Sequence, residues 1–288
     1  MGKLNNLLRD FVMTDIFNKS YRSLLCVPFA CIACALLCAS ASLVHAGTIG
    51  AGNQTALYIS DQASGANLFG WGANGSGQIG DDSAEDRLTP VMATGDGPWL
   101  AVATNLTGVS DSILVRHSLG IKADGAAGTQ GTLWAWGDNS FGQLGLGDTT
   151  NKMVPTQIGS ASNWIAVEAG SAFSMALNAE GEIWVWGDNR FGQLGAGVVA
   201  YFQSTPTQLA DKDGTTSNND QWVSIAAGAD YALAVHSITA GSSYGYIYGW
   251  GRNSLSQIGL GHNSSPVVGP SSATRIAGTT LWRSVEAG

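Results

Sequence analysis

The sequence predicts an all-β chain folded as a β-propeller. Three observations carry that expectation: an excess of glycine and tryptophan, a scarcity of charge, and one unit that recurs four times. Glycine occurs 39 times and tryptophan ten times in 288 residues, while Asp, Glu, Lys and Arg together make up 12%. Ample apolar content with so little charge argues against disorder. The glycines follow no period of three, which excludes collagen, and the Ala/Glu/Lys/Leu/Arg enrichment of a coiled coil is missing. The combination fits short strands joined by tight turns. A net charge of −8 speaks against a nucleic-acid binder, whose footprint is basic.

Residues 1–46 read as an export signal. Lys3, Arg9, Lys19 and Arg22 precede an uncharged run from Leu24 to Val44, which ends in Val44-His45-Ala46 with small residues where a signal peptidase reads them. The expectation is a Sec-type signal peptide cleaved after Ala46 and a secreted or periplasmic product of bacterial type, with no stable membrane insertion after cleavage. An uncleaved N-terminal anchoring helix is the alternative, because a run of about 21 residues can span a bilayer. All four cysteines, Cys26, Cys31, Cys34 and Cys38, fall in this run, so the mature chain is expected to lack thiols and disulfides. Residues 47–288 keep nine Lys and Arg against nineteen Asp and Glu, the balance of a soluble acidic body.

The rest is repetitive. WGANGSGQIG begins at Trp71, WGDNSFGQLG at Trp136, WGDNRFGQLG at Trp186 and WGRNSLSQIG at Trp250. A second box follows 28 to 36 residues later, as WLAVA from Trp99, WIAVEAG from Trp164, WVSIAAG from Trp222 and WRSVEAG from Trp282. Between the boxes stand alternating stretches at residues 56–59, 117–121, 174–177 and 231–235. In LWAWG the side chains of Trp134 and Trp136 share one face of a strand, as do Trp184 and Trp186, because the pleat has period two. The Gly and Asn that follow suit a tight turn. A unit of three or four short strands cannot bury both faces alone, and radial stacking of such units makes a propeller. The expected units are approximately 51–104, 105–168, 169–226 and 227–288.

At these residues the chain resembles the regulator of chromosome condensation repeat proteins. The resemblance rests on Ala169-Gly170, residues 174–177, Glu180-Gly181, residues 183–187, Asn189 and residues 192–195, with equivalents in the other units and a literal His117-Ser118-Leu119 in one. It implies a seven-bladed propeller. Seven blades of about 50 to 60 residues need roughly 350 to 420, more than the 242 left after residue 46. The chain is therefore expected to be a truncated fragment, a four-bladed ring, or an open array that self-associates through its missing blades.

Chemical motifs are echoes of the repeat. Residues 70–75 and 75–80 match GxGxxG, but no helix is expected to open after them, so no nucleotide site is assigned. Residues 241–245 match GxSxG, yet an alternating strand follows instead of a helix. Asp81, Asp82, Glu85 and Asp86 lack the spacing of a calcium loop, and His117, His236 and His262 are too few and scattered for a zinc site. No catalytic, cofactor or metal site is expected, and the protein is read as non-enzymatic. Asn74, Asn139, Asn189, Asn253 and Gln78, Gln143, Gln193, Gln257 recur with Trp71, Trp136, Trp186 and Trp250 in every unit. A catalytic centre needs one constellation, whereas each blade needs its own satisfied turn, so these twelve residues are read as structural.

Function is then expected where the units differ, in residues 105–111, 126–130, 198–203, 211–220 and 237–245. Tyr201, Phe202 and Tyr244 are large apolar groups in these polar loops and are the candidate contacts to a protein partner whose identity the sequence does not give. A secreted protein-binding scaffold is the leading expectation. Guanine-nucleotide exchange on a small GTPase, which the resemblance implies for eukaryotic members, is the alternative.

Overall fold

Alternating apolar residues become a series of antiparallel meanders. The computed structural model describes residues 49–52, 54–60, 65–95, 97–105, 115–124, 129–197, 200–209, 221–239, 241–261, 272–276 and 278–287. The export segment with its cysteines lies outside these residues, as do most of the variable loops at 105–111, 126–130 and 211–220. Among the described residues there are sixteen strands and no helix.

The strands group into four blades. Blade I holds β1 (Ile49–Ala51), β2 (Thr55–Ile59), β3 (Leu68–Gly72) and β4 (Arg87–Met92); blade II holds β5 (Trp99–Thr104), β6 (His117–Ala123), β7 (Gly131–Gly137) and β8 (Lys152–Ile158). Blade III holds β9 (Trp164–Ala169), β10 (Phe173–Asn178), β11 (Ile183–Asp188) and β12 (Phe202–Gln208); blade IV holds β13 (Trp222–Ala227), β14 (Tyr231–Ser237), β15 (Gly245–Gly251) and β16 (Thr274–Arg275). Within each blade consecutive strands pair antiparallel. The first strands pack in series, β5 against β1, β9 against β5 and β13 against β9, so they form the inner layer.

The blade is out of phase with the repeat as it reads in the sequence. Three of the four second boxes open a blade: Trp99, Trp164 and Trp222 start β5, β9 and β13. Expected units closing near 104, 168 and 226 therefore contain most of one blade and the inner strand of the next. That strand also couples neighbours. The backbone N–H of Trp99 donates to Ala66 and that of Trp222 to Gly181, at 3.0 and 2.9 Å, while Trp164 pairs with Gly131 and fuses blades II and III into one eight-stranded sheet. Trp282 makes the same exchange with Gly245, at 2.8 Å in both directions, so the last box lies on blade IV as an inner strand lies on the blade before it.

The core sits between blades. One cluster joins Leu57, Ile59 and Leu68 of blade I to Trp99, Val102 and Trp136 of blade II. A second joins Leu119, Ile121 and Leu133 to Trp164, Val167 and Trp186, and a third joins Phe173, Met175 and Leu177 to Trp222, Ile225 and Trp250. With a blade on either side, β10 is buried at every residue, so its apolar run is continuous instead of alternating. Of the outer strands, β4 is mostly exposed and β8 and β12 are mostly half-buried, and all three carry a proline, Pro90, Pro155 and Pro206, which a sheet tolerates only at its edge.

Candidate functional site

The repeated Asn and Gln are consumed by the turn after the third strand. The Oδ1 atoms of Asn74, Asn139, Asn189 and Asn253 accept the backbone N–H of Ile79, Leu144, Leu194 and Ile258 at 2.9 to 3.1 Å. Gln78, Gln143, Gln193 and Gln257 accept through Oε1 the N–H of Ser76, Phe141, Phe191 and Leu255 at 2.9 to 3.0 Å. The amide of Gln143 donates back to Asp138 and that of Gln193 to Asp188, at 2.8 and 3.0 Å. A buried turn leaves backbone donors that only a side chain of this reach can satisfy.

Once the turn is fixed, its own carbonyl faces the next blade. The indole Nε1–H groups of Trp136, Trp186 and Trp250 donate to the carbonyls of Gln78, Gln143 and Gln193 at 2.8, 2.8 and 2.9 Å. Ser118 and Ser174 Oγ donate to the first two of those carbonyls at 2.8 and 2.7 Å. The rings press on a glycine of the same turn: a Cβ on Gly80, Gly145 or Gly195 would come within 3.0, 2.9 or 2.5 Å of the indole. The three tryptophans are fully buried, while Trp71, at the same position of blade I, is only partly so.

Two titratable groups are perturbed by the packing. His117 is fully buried, with Nε2 at 3.0 Å from Ser174 Oγ; burial lowers its pKa to about 4, against the opposing influence of Asp138 and the Phe173 backbone. Glu168, on β9, is pushed up to about 7 by burial, partly offset by a hydrogen bond from the Ala227 backbone and reinforced by repulsion from Glu286. The Ser174 hydroxyl beside His117 is fully buried and donates to the Gln143 carbonyl at 2.7 Å, so the pair is a packing contact closed to any substrate; among the described residues there is no group of three or more His, Cys, Asp and Glu placed to hold a metal.

The acidic run at 81–86 is tied into its turn. Burial raises the Asp81 carboxyl, but Arg87, Ser83 and Asn74 more than offset this and hold it below the usual range. Its Oδ2 meets Arg87 Nε at 2.5 Å and its Oδ1 accepts Asn74 Nδ2 at 2.9 Å. Residues 70–75 run from β3 into a turn with Gly72 at φ +99° and no helix beyond. Ser243 of the GxSxG match is exposed on the hairpin between β14 and β15, where its neighbour Ser242 bonds the backbone of Tyr244.

Tyr201, Phe202 and Tyr244 are all exposed, at 80%, 43% and 50%. They do not form one surface. Phe202 opens β12 opposite Asp188, at the end of the blades that carries the Asn/Gln turns, whereas Tyr244 precedes Gly245, which pairs with Ser237 at the hairpin end. The bond from Trp250 to Gln193 aligns these ends in blades III and IV, so the pair and Tyr244 lie at opposite ends. Around the turn end, Arg190 stacks over Phe141 at 4.8 Å and Arg252 over Phe191 at 4.9 Å, a cation–π series that the sequence reading missed. Its signal was present, in an aromatic three residues before each Leu144 and Leu194.

Residues 130–177 and 180–235 match the regulator of chromosome condensation (RCC1) repeat, and residues 164–193 match a second description of the same repeat. Residues 130–235 of this chain are built of RCC1 repeats. Among relatives by sequence, the ultraviolet-B receptor UVR8 of Arabidopsis thaliana is 29% identical over 200 residues, covering 68% of this chain and 39% of the receptor. The human E3 ubiquitin-protein ligase HERC2 is 27% identical over 67% of this chain and 4% of its own length. The human X-linked retinitis pigmentosa GTPase regulator is 34% identical over 35% of this chain and 9% of its own. Human WBSCR16 superposes with a TM-score of 0.64 at 21% identity, over 83% of this chain and 55% of that one. Yeast RCC1 (Prp20), solved bound to Kap60, gives 0.60 at 21% over 80% and 48%. This chain thus spans about half the length of the solved propellers and less of the relatives matched by sequence.

Proposed function

We propose that this protein is a non-enzymatic, exported scaffold that binds a protein partner through the turn end of its blades. The observation that carries the reading is the division of labour among its residues. The repeated Trp, Asn and Gln are spent within and between blades, while Tyr201 and Phe202 stand exposed side by side at a position where the other units carry different residues. Adjacent exposed aromatics are favoured interface anchors. Protein binding also agrees with relatives solved bound to Kap60 or named for binding to Gsp1p and histones. The export part rests on the layout of residues 1–46.

The test uses purified full chain as bait against an envelope extract of the source organism. A partner retained by Tyr244→Ala and lost by the Tyr201→Ala/Phe202→Ala double variant is the expected result; a partner indifferent to the double variant overturns the reading. A reporter fused after residue 288 is expected to work only outside the inner membrane. The name of the GTPase-regulator relative motivates a second reading, nucleotide exchange. It requires this chain to speed nucleotide release from a small GTPase, and no acceleration across a panel removes it.

A further inference from the structure

The hairpin ends of blades II, III and IV repeat an aromatic pair. The strand register places it: Trp99, Trp164 and Trp222 on the inner strands pair with Lys122, Asn178 and His236 on the second strands. A ring on the third strand meets each inner tryptophan edge to face, Trp134 at 6.3 Å, Trp184 at 6.2 Å and Tyr248 at 5.5 Å. In blade II the pair holds a cation, since Lys122 Nζ lies 5.0 Å from the Trp99 ring and 4.6 Å from the Trp134 ring. In blade IV the His236 imidazole takes that position, 4.7 Å from Trp222 and 5.8 Å from Tyr248.

Blade III departs from this arrangement at two positions. Asn178 stands in place of Lys122, too short to reach across both rings, and its Nδ2 donates instead to Glu182 Oε2 at 2.7 Å. Glu182 stands in place of Thr132, whose Oγ1 accepts the Trp134 Nε1–H at 2.9 Å in blade II. The Trp184 Nε1–H is buried without an acceptor. Among the described residues no cation stacks on Trp164 or Trp184. Compared with blade II, this end has therefore lost a positive charge and gained a negative one beside two rings set at nearly the same distance. Trp184 and Glu182 are half-buried, so solvent reaches both.

We propose that the Trp164–Trp184 pair and the Glu182 carboxylate form a binding site for an alkylammonium group brought by another molecule, which takes the place that Lys122 holds in blade II. The rings attract a cation through their quadrupole, and partial burial strengthens that attraction. The carboxylate favours a cation with N–H donors over a quaternary one, because only the former adds a charge-assisted hydrogen bond. This chemistry is shared by a free amine and by a lysine side chain of another protein. The site belongs to the junction of blades II and III, where Trp164 is part of the common core and Trp184 packs against it. It lies at the end of blade III opposite Tyr201 and Phe202, so it stands or falls independently of binding at the turn end.

Proton–nitrogen correlation NMR of the indole N–H signals tests this on the full chain, kept in mild detergent so that residues 24–44 stay solvated. Trp164→Phe and Trp184→Phe assign the two signals of interest. Butylammonium, the stem and charge of a lysine side chain, is expected to move both signals saturably in the millimolar range, while butanol leaves them in place. Glu182→Gln is expected to weaken binding about threefold, the loss of one partly exposed ion pair. The double variant Asn178→Lys/Glu182→Thr rebuilds this end as that of blade II and is expected to bind no butylammonium, because its own lysine covers the rings. The other indole signals report that each variant is folded. A blocked peptide with one central lysine separates the sources, and either result supports the site: binding as tight as that of butylammonium marks a lysine of another protein, and binding of butylammonium alone marks a free amine. Signals that do not saturate, that move equally with butanol, or that respond unchanged in the double variant overturn the proposal.

Discussion

The junctions between blades II and III and between blades III and IV use the same tryptophan in different company. In the first, the Gln143 carbonyl accepts both the Trp186 indole and Ser174 Oγ, and the serine also meets His117. In the second, Ala232 stands in the serine's place and the Gln193 carbonyl takes the Trp250 indole at 2.9 Å. Both indoles are fully buried and both blades are seated alike. The comparison teaches that the tryptophan seats a blade on its own, through burial and one hydrogen bond, while the serine and histidine add polar bonding and, with it, a dependence on pH.

The largest expected effect breaks both junctions equally. Trp186→Ala and Trp250→Ala should each cost about 3–5 kcal/mol, mostly from the cavity and lost burial, measured by urea unfolding. A much smaller loss at Trp250 would mean that the serine, not the ring, seats the blade.

Next comes pH, where the junctions should part. The unfolded chain protonates its histidine near 6.5 and the folded chain holds His117 neutral to about 4. His117 therefore costs nothing above pH 6.5 and destabilises progressively as pH falls toward 4, by about 3 kcal/mol in full. Glu168, raised from 4.5 to about 7, works the other way, favouring the fold at low pH and weakening it as pH rises through that window. His117→Phe, the residue blade III carries at position 173, is expected to remove the loss below pH 6.5. Glu168→Gln is expected to raise stability at pH 8. Unfolding curves from pH 4 to 8 check both signs.

The smallest effects sharpen the contrast. Ser174→Ala should cost about 1–2 kcal/mol by removing its bond to Gln143 and leaving His117 Nε2 unpaired. Ala232→Ser should add up to about 1 kcal/mol by giving the Gln193 carbonyl a second donor. Chemical denaturation of the pair checks whether the extra bond transfers between junctions.

Much of this was legible in the residues, for definable reasons. The Trp-Gly-x-Asn and Gly-Gln-Leu-Gly boxes announce the blades because side-chain identity matters at each position. The bond partner of each tryptophan was not legible, since it is a backbone carbonyl that any residue carries and only the folded turn aims. The outer strands are equally hard to see, because β4, β8 and β12 are exposed or half-buried and lack an apolar alternation. Pro90, Pro155 and Pro206, each 12 or 13 residues after the turn glutamine, were the available signal. Exposure of Tyr201, Phe202 and Tyr244 followed from their polar loops. Their separation to opposite ends did not, because it depends on counting strands that the sequence left ambiguous.

The central claim is that the repeated tryptophan acts by being seated on the preceding blade's turn. It is tested most directly by comparing Trp186→Phe with Trp71→Phe, identical substitutions at equivalent repeat positions, in urea unfolding. The expected loss is about 2 kcal/mol at Trp186, from the indole bond and the volume removed, and much less at Trp71, which is only partly buried and bonds no turn among the described residues. Equal losses at the two positions would contradict it.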